Sequence, residues 1–187
     1  MFVKSAYIGS AHNLAIAPGS LIMQKLMALL ALLWMCAPAH AREPDPLRRL
    51  VDRAAIHEVM QKYIWSVDAL DADGYVSVFT EDAQVDANGV IHKGHAEIRK
   101  VVTDLQARQA QSRARGEPPG NLYHVISNER IDLISPTEAL YQSYWQTLRK
   151  GQDNRYIAGG FGRSEDRLVK RDGHWLIKSR KLVVFTD

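Results

Sequence analysis

The sequence contains one cysteine in 187 residues, Cys36. A single thiol excludes an internal disulfide and a cysteine-based metal cluster. Charge of one sign is lacking as well. The formal net charge is +3, but Lys4 and Lys25 lie in a first segment without acids, and residues 42–187 carry 22 basic against 21 acidic side chains. Binding a phosphate backbone needs several clustered lysines or arginines, so no nucleic-acid partner is expected. Nor is there an apolar run of the roughly 20 residues that cross a bilayer; Leu26–Met35 is about half that.

What is present begins with that short run. Lys25 precedes it, and Ala39-His40-Ala41 follows it ahead of the polar Arg42-Glu43-Pro44. A basic flank, an apolar stretch and a small-x-small end make a secretory signal peptide, with Arg42 as the expected mature N-terminus and a secreted or periplasmic location. The alternative is an uncleaved N-terminal anchor. Met23 directly before the basic flank is the expected translation start. Cys36 leaves with the leader, and Met35 before it does not suit a lipoprotein signal. The expected organisation is a leader over 1–41 and one domain over 42–187, with no stable membrane anchor after cleavage.

Periodicity divides the domain. Asp45 can cap and Pro46 can open a helix, and Leu47, Leu50, Val51, Ala54, Val59, Met60, Tyr63, Ile64 and Val67 mostly keep helical spacing. A short helix is expected over 73–79. Asn88-Gly89 between Gln84-Val85-Asp86 and Val90-Ile91-His92 signals a hairpin. A third helix carries Ile98, Val101, Val102 and Leu105 on one side and ends before the loop Arg115-Gly116-Glu117-Pro118-Pro119-Gly120. From there the period becomes two: 122–134, 139–148, 156–169 and 174–185 read as strands joined by turns, hence antiparallel. Helices packed on one face of a curved sheet give an α+β fold with an internal pocket.

This order of elements, with Tyr63-Ile64-Trp65-Ser66-Val67-Asp68, Val78-Phe79-Thr80-Glu81-Asp82-Ala83, Gly94 before the third helix and the closing 172–180 segment, resembles the SnoaL-like branch of the nuclear-transport-factor-2-like superfamily over 47–187. The resemblance implies a cone-shaped antiparallel sheet packed against three helices. That branch and its neighbours include polyketide cyclases, scytalone dehydratase, bile-acid 7α-dehydratase and hexachlorocyclohexane dehydrochlorinase, which act on small, largely apolar molecules, as well as members with no known activity.

Three side chains are the candidate catalysts. Asp68 keeps i, i+4 spacing with Met60 and Ile64, so it should face the core side at a helix end whose dipole disfavours its charge. It could instead cap the next turn or pair with a lysine. The resemblance gives it the task of holding a histidine that removes a substrate proton. That histidine is His124, which shares a strand face with Leu122, Ile126 and Asn128. Read alone it is better explained as a structural strand histidine, and pairing with Asp68 is what reverses that preference. Arg180 matches an arginine of the dehydratase and dehydrochlorinase relatives, where it would stabilise a departing anion or an enolate; a salt bridge to Asp68 or another core acid is the alternative. Tyr63 matches a tyrosine of the bile-acid enzyme. It lies about 140° around the helix from Asp68, so the two reach one pocket only if that pocket wraps the helix.

Met60, Ile64 and Phe161 are expected to complete the pocket, with the glycines around Phe161 marking a bulge or a close backbone approach. The second histidine of scytalone dehydratase has no counterpart at 159–163. His92 and His95 lack a third ligand, so no metal is expected, and no cofactor. The expected function is binding of a small hydrophobic molecule and, if catalytic, cofactor-free lyase or isomerase chemistry through an Asp–His proton-abstraction dyad. The alternative is a noncatalytic small-molecule-binding or protein-interaction and assembly module, which exposure of Trp145 or Tyr141 on the outer sheet face would favour. A homodimer, or a trimer, is expected from that uncovered face.

Overall fold

A computed structural model describes residues 45–185 apart from 118, 119, 121 and 152–154. The leader and its cleavage site lie outside the described residues. In chain order the elements are α1 (Pro46–Asp68), α2 (Ala72–Val76), β1 (Phe79–Ala87), β2 (Val90–Lys93), α3 (Gly94–Ala114), β3 (Leu122–Ser135), β4 (Glu138–Lys150), β5 (Tyr156–Arg171) and β6 (His174–Val184). None of the described helices is long and apolar enough to cross a membrane.

Helix α1 starts where the caps direct it: the Asp45 carboxylate accepts from the Leu47 N–H at 3.0 Å, and Pro46 occupies the first turn. Its buried stripe runs through Asp52, Ile56, Met60, Tyr63 and Val67. The first turns depart from the expected apolar face, because Leu47, Leu50 and Val51 are exposed. The position that enters the core there is charged, and an apolar pattern passes over it. Asp52 is buried by being answered: Lys170 Nζ donates to it at 2.6 Å and Trp175 Nε1 at 2.9 Å. The helix ends with the Ala69 N–H on the Trp65 carbonyl and with Leu70 in the left-handed region at φ 56°. Helix α2 is shorter than expected, since Phe79 already belongs to β1.

The six strands form one curved sheet in the order β2-β1-β6-β5-β4-β3. Asn88 and Gly89, at φ 57° and 90°, make the β1–β2 hairpin, and the Asp86 carboxylate accepts from the Gly89 N–H at 2.7 Å. β3 to β6 are an antiparallel meander. The sheet as a whole is mixed, however, because β1 runs parallel to β6, with Val85 opposite Arg180. Turn lengths predict pairing only between successive strands; this contact joins elements separated by α3 and four strands. Helix α1 touches both β3 and β6, and α3 packs on β1 through buried Ile98 and Val102. The core lies between this helical layer and the inner sheet face, with Tyr75, Phe79, Tyr141, Leu168 and Ile177 at its centre.

Burial alone would raise the Asp52 pKa, but the hydrogen bonds from Lys170 and Trp175 and the charges of Lys170 and Arg48 outweigh it and hold the carboxyl below its ordinary value. A depressed carboxyl contributes stability that is present above its unfolded pKa of 3.8 and lost as pH falls through the lower folded value. Asp52→Ala should therefore cost about 3 kcal/mol at pH 7, the scale for breaking a buried pair. Urea unfolding should show the penalty shrinking below about pH 4.

Candidate active site

Asp68 closes α1, and His124 is the third residue of β3. The two meet twice. Asp68 Oδ1 lies 2.6 Å from His124 Nδ1, and Asp68 Oδ2 accepts the His124 backbone N–H at 3.0 Å. Those two hydrogen bonds offset the helix dipole, which works against a carboxylate at this end. An ionised carboxylate only accepts, so the neutral imidazole must carry its proton on Nδ1 and keep its lone pair on Nε2. His124 is directly opposite Thr147 on β4, on the inner face of the sheet.

A pocket of about 230 Å³ opens beside this pair. Val67 and Leu70 from the end of α1, Leu105 from α3 and Leu122 from β3 give it apolar walls, with Asp68, His124 and Arg108 as its charged or titratable lining. Leu70 reaches that wall through its left-handed backbone, which turns the chain sharply after Asp68. The geometry suits proton abstraction: a base fixed through one ring nitrogen, on a residue that lines a largely apolar space.

The remaining expected site residues lie elsewhere. Met60 and Tyr63 are buried in the core and Ile64 packs against it; none of the three lines this pocket. Tyr63 stacks instead under Arg180, whose guanidinium carbon is 4.1 Å from the ring centroid. Tyr63 and Asp68 thus face two different places, as their angular separation on the helix requires. Arg180 is fully enclosed, and its Nη1 donates to both Asp166 oxygens at 2.8 Å. β5 and β4 separate it from His124 in the sheet, and it does not line the pocket. Its partner is the core acid Asp166, not Asp68.

Burial pushes the Asp166 carboxyl up, to about 6, against the pull of Arg180 and Ser164. Burial would lower Arg180, but Asp166 and the phenols of Tyr63, Tyr75 and Tyr141 together raise it above its ordinary value.

Phe161 is a correction. It lies on the outer sheet face, 46% exposed, with Tyr144 at 6.0 Å and Phe185 at 5.4 Å between ring centroids. The reason is strand parity: buried Gly162 faces inward under Trp145, so its neighbour faces out. A β-carbon at Gly162 would come within 2.1 Å of the Val183 carbonyl oxygen and 2.6 Å of the Trp145 ring, so a close approach does occur there, made by a side chain of the protein itself. Tyr141 is wholly buried, and Trp145 lies on the inner face, so neither is an outer-face residue.

Sequence reasoning missed a second histidine–carboxylate pair. His57 Nδ1 lies 2.9 Å from Glu129 Oε2, and Glu129 Oε1 accepts from the Tyr141 hydroxyl at 2.8 Å. The available signal was helical phase, because His57 lies about three turns before Asp68 on the same side of α1. His95 Nε2 donates to the Phe79 carbonyl at 3.1 Å, and among the described residues no three metal-ligating side chains converge.

Comparison with known proteins gives a family match. The model of the SnoaL-like domain matches residues 48–181. No curated protein matches the sequence. Among solved structures, a protein of unknown function from Mycobacterium tuberculosis superposes with a TM-score of 0.66 at 21% identity, covering 78% of this chain and 79% of its own. A candidate scytalone dehydratase from Novosphingobium aromaticivorans gives 0.61 at 25% identity, covering 74% and 87%. A hexachlorocyclohexane dehydrochlorinase from Novosphingobium barchaimii gives 0.62 at 19% identity, covering 76% and 92%.

Enclosure of the Asp166–Arg180 pair carries a measurable consequence. Arg180→Met should destabilise the protein by about 3–5 kcal/mol, because it leaves a buried carboxylate without its counter-charge. A carboxyl with a raised folded pKa loses stability as pH climbs from its unfolded value towards the folded one. Urea unfolding should thus show the smallest loss below the unfolded value of 3.8 and a growing loss as pH rises through about 6. Asp166→Asn combined with Arg180→Met should recover part of it.

Proposed function

The chain belongs to the SnoaL-like domain family, and on that premise we propose that it binds a small apolar molecule and, as a cofactor-independent lyase or isomerase, removes a proton from one of its carbon atoms. One observation carries this reading: Asp68 holds His124 through Nδ1 at 2.6 Å, which leaves Nε2 as the free basic atom of a residue that lines an apolar pocket. Nε2 takes the proton, and the electron pair of the broken C–H bond moves into a new π bond. In an elimination the leaving group departs with its own bonding pair. In an isomerisation no group leaves; an adjacent π bond gives up its pair to its far end, and the imidazolium returns the proton to a different carbon, which uses that pair to form the new C–H bond. Asp68 orients the ring and stabilises the imidazolium that forms. The candidate scytalone dehydratase among the similar structures is named for a lyase, which favours this class of reaction. Arg180, bound to Asp166, is assigned to the framework of the core.

Deuterium wash-in tests the base. With 2-tetralone as a carbon-acid probe in D₂O, the wild-type protein should accelerate exchange of the protons next to the carbonyl, followed by NMR. His124→Gln and Asp68→Asn should each slow it about 100-fold, within the range for general-base catalysis. The double variant should be little worse than either, because members of one catalytic unit are not additive. Wild-type exchange at the rate of His124→Gln would leave the noncatalytic binding module in its place.

The outer sheet face favours self-association as a separate property. Tyr144, Phe161 and Phe185 form an exposed aromatic cluster there, the kind of surface that interfaces cover. We expect a dimer, or a trimer, by light scattering at micromolar concentration, and a monomer for Phe161→Glu. A monomeric wild-type protein would refute the association.

A further inference from the structure

We propose that the pocket beside His124 is selective for apolar molecules bearing a carboxylate, and that Arg108 is the residue that reads it. The inference rests on the reading of this pocket as a small-molecule site and deepens it by naming the class of molecule.

Leu105, Arg108 and Ser112 lie at i, i+3 and i+7 on α3 and line the pocket together. Arg108 therefore belongs to the stripe that faces the pocket, although its own exposure places it at the rim. Two ionised side chains border the space among the described residues. Asp68 is committed to His124 by two hydrogen bonds. Arg108 has no ion pair or hydrogen bond with any described residue. Other arginines of the same helix and its end are answered: Arg99 by Asp73 at 2.6 Å, Arg113 by the Gln109 side chain at 3.4 Å and Arg115 by Glu117 at 2.8 Å.

A guanidinium without a partner among the described residues, at the edge of apolar walls, selects for a ligand with two parts. The apolar body fills the space bounded by Val67, Leu70, Leu105 and Leu122. A carboxylate at its outer end meets the planar fork of Arg108, which can take both oxygens. That polarity also sets the direction of entry, with the apolar end towards His124 and the charge left at the mouth. A cationic ligand would meet Arg108 with the wrong sign.

Two probes of nearly the same shape separate charge from fit: 1-naphthoate and its neutral analogue 1-naphthamide, titrated into the full chain and followed by NMR at the amides of Leu105, Leu122 and His124. The naphthoate should bind about tenfold more tightly at low salt, and added salt should reduce the advantage, since the pair at the rim is screened. Arg108→Gln should bring the ratio to about one with the affinity for naphthamide unchanged, and Arg108→Lys should retain part of it. Equal affinities in the wild-type protein, an advantage that survives in Arg108→Gln, or no shift at these amides with either probe would each overturn the proposal. His124→Gln should leave the ratio intact. A failed deuterium wash-in with an intact ratio would thus remove the base and keep the selectivity, and the reverse result would remove the selectivity alone.

Discussion

Helix α1 is fixed against the sheet by polar contacts spaced along its length, and the placement of every inward-facing group depends on that registration. Asp52 holds the β5–β6 hairpin through Lys170 and Trp175, His57 meets Glu129 on β3, Tyr63 covers Arg180 on β6, and Asp68 grips His124 back on β3. Apolar contacts alone would let a helix slide or roll over a curved sheet at little cost, because dispersion and burial are not directional. Hydrogen bonds and ion pairs have angles and lengths, and a rise of 1.5 Å per residue carries a misplaced partner out of reach within one turn. The buried members of this series cost desolvation, and what they contribute is a single alignment.

The alignment divides the interior into two polar centres. One is sealed: Asp166 and Arg180, surrounded by Tyr63, Tyr75 and Tyr141, with Ser164 and Ser143 joined at 3.0 Å beside it. The other, Asp68 with His124, is partly open to solvent and borders a pocket. The difference in access is what separates their roles. A group enclosed from solvent cannot meet a ligand from the surface unless the core opens, whereas His124 is partly exposed and lines a pocket. Both centres draw on the same helix, so a side chain on α1 only five residues from another can serve a wholly different part of the molecule.

Much of this was legible in the sequence. Caps, apolar periodicity and the Asn88-Gly89 turn located the elements, and the register of Asp68 with the core side of α1, joined to the family resemblance, pointed to His124. The failures have local causes. Two irregularities in strand pairing decide which side chains face inward, and neither has a composition signal: a shift between Ser127 and Arg130 accompanies the left-handed Asn128 and lets Glu129 reach His57, and one between Arg167 and Leu168 turns Arg180 inward where the alternation from Trp175 and Ile177 would have placed Ser179. Asp166 was illegible because a buried acid in a strand looks, by alternation alone, like any polar residue. Phe161 was misassigned because its glycine neighbours suggested a ligand where Trp145 already lies.

The second oxygen of Asp68 has an evolutionary implication. It binds the main-chain N–H at position 124, and every residue except proline supplies that group. The tie between helix and strand therefore does not depend on which side chain stands at 124. A lineage that replaces this histidine loses a base and keeps the fastening, so chemistry can be discarded or reacquired by single substitutions without first rebuilding the scaffold. Position 68 has no such freedom, since its carboxylate serves the backbone and the ring together. A fold wired in this way can retain an acidic residue at the helix end while the reactive position opposite it drifts, which is a physical route by which enzymes and inert binding proteins come to share one architecture.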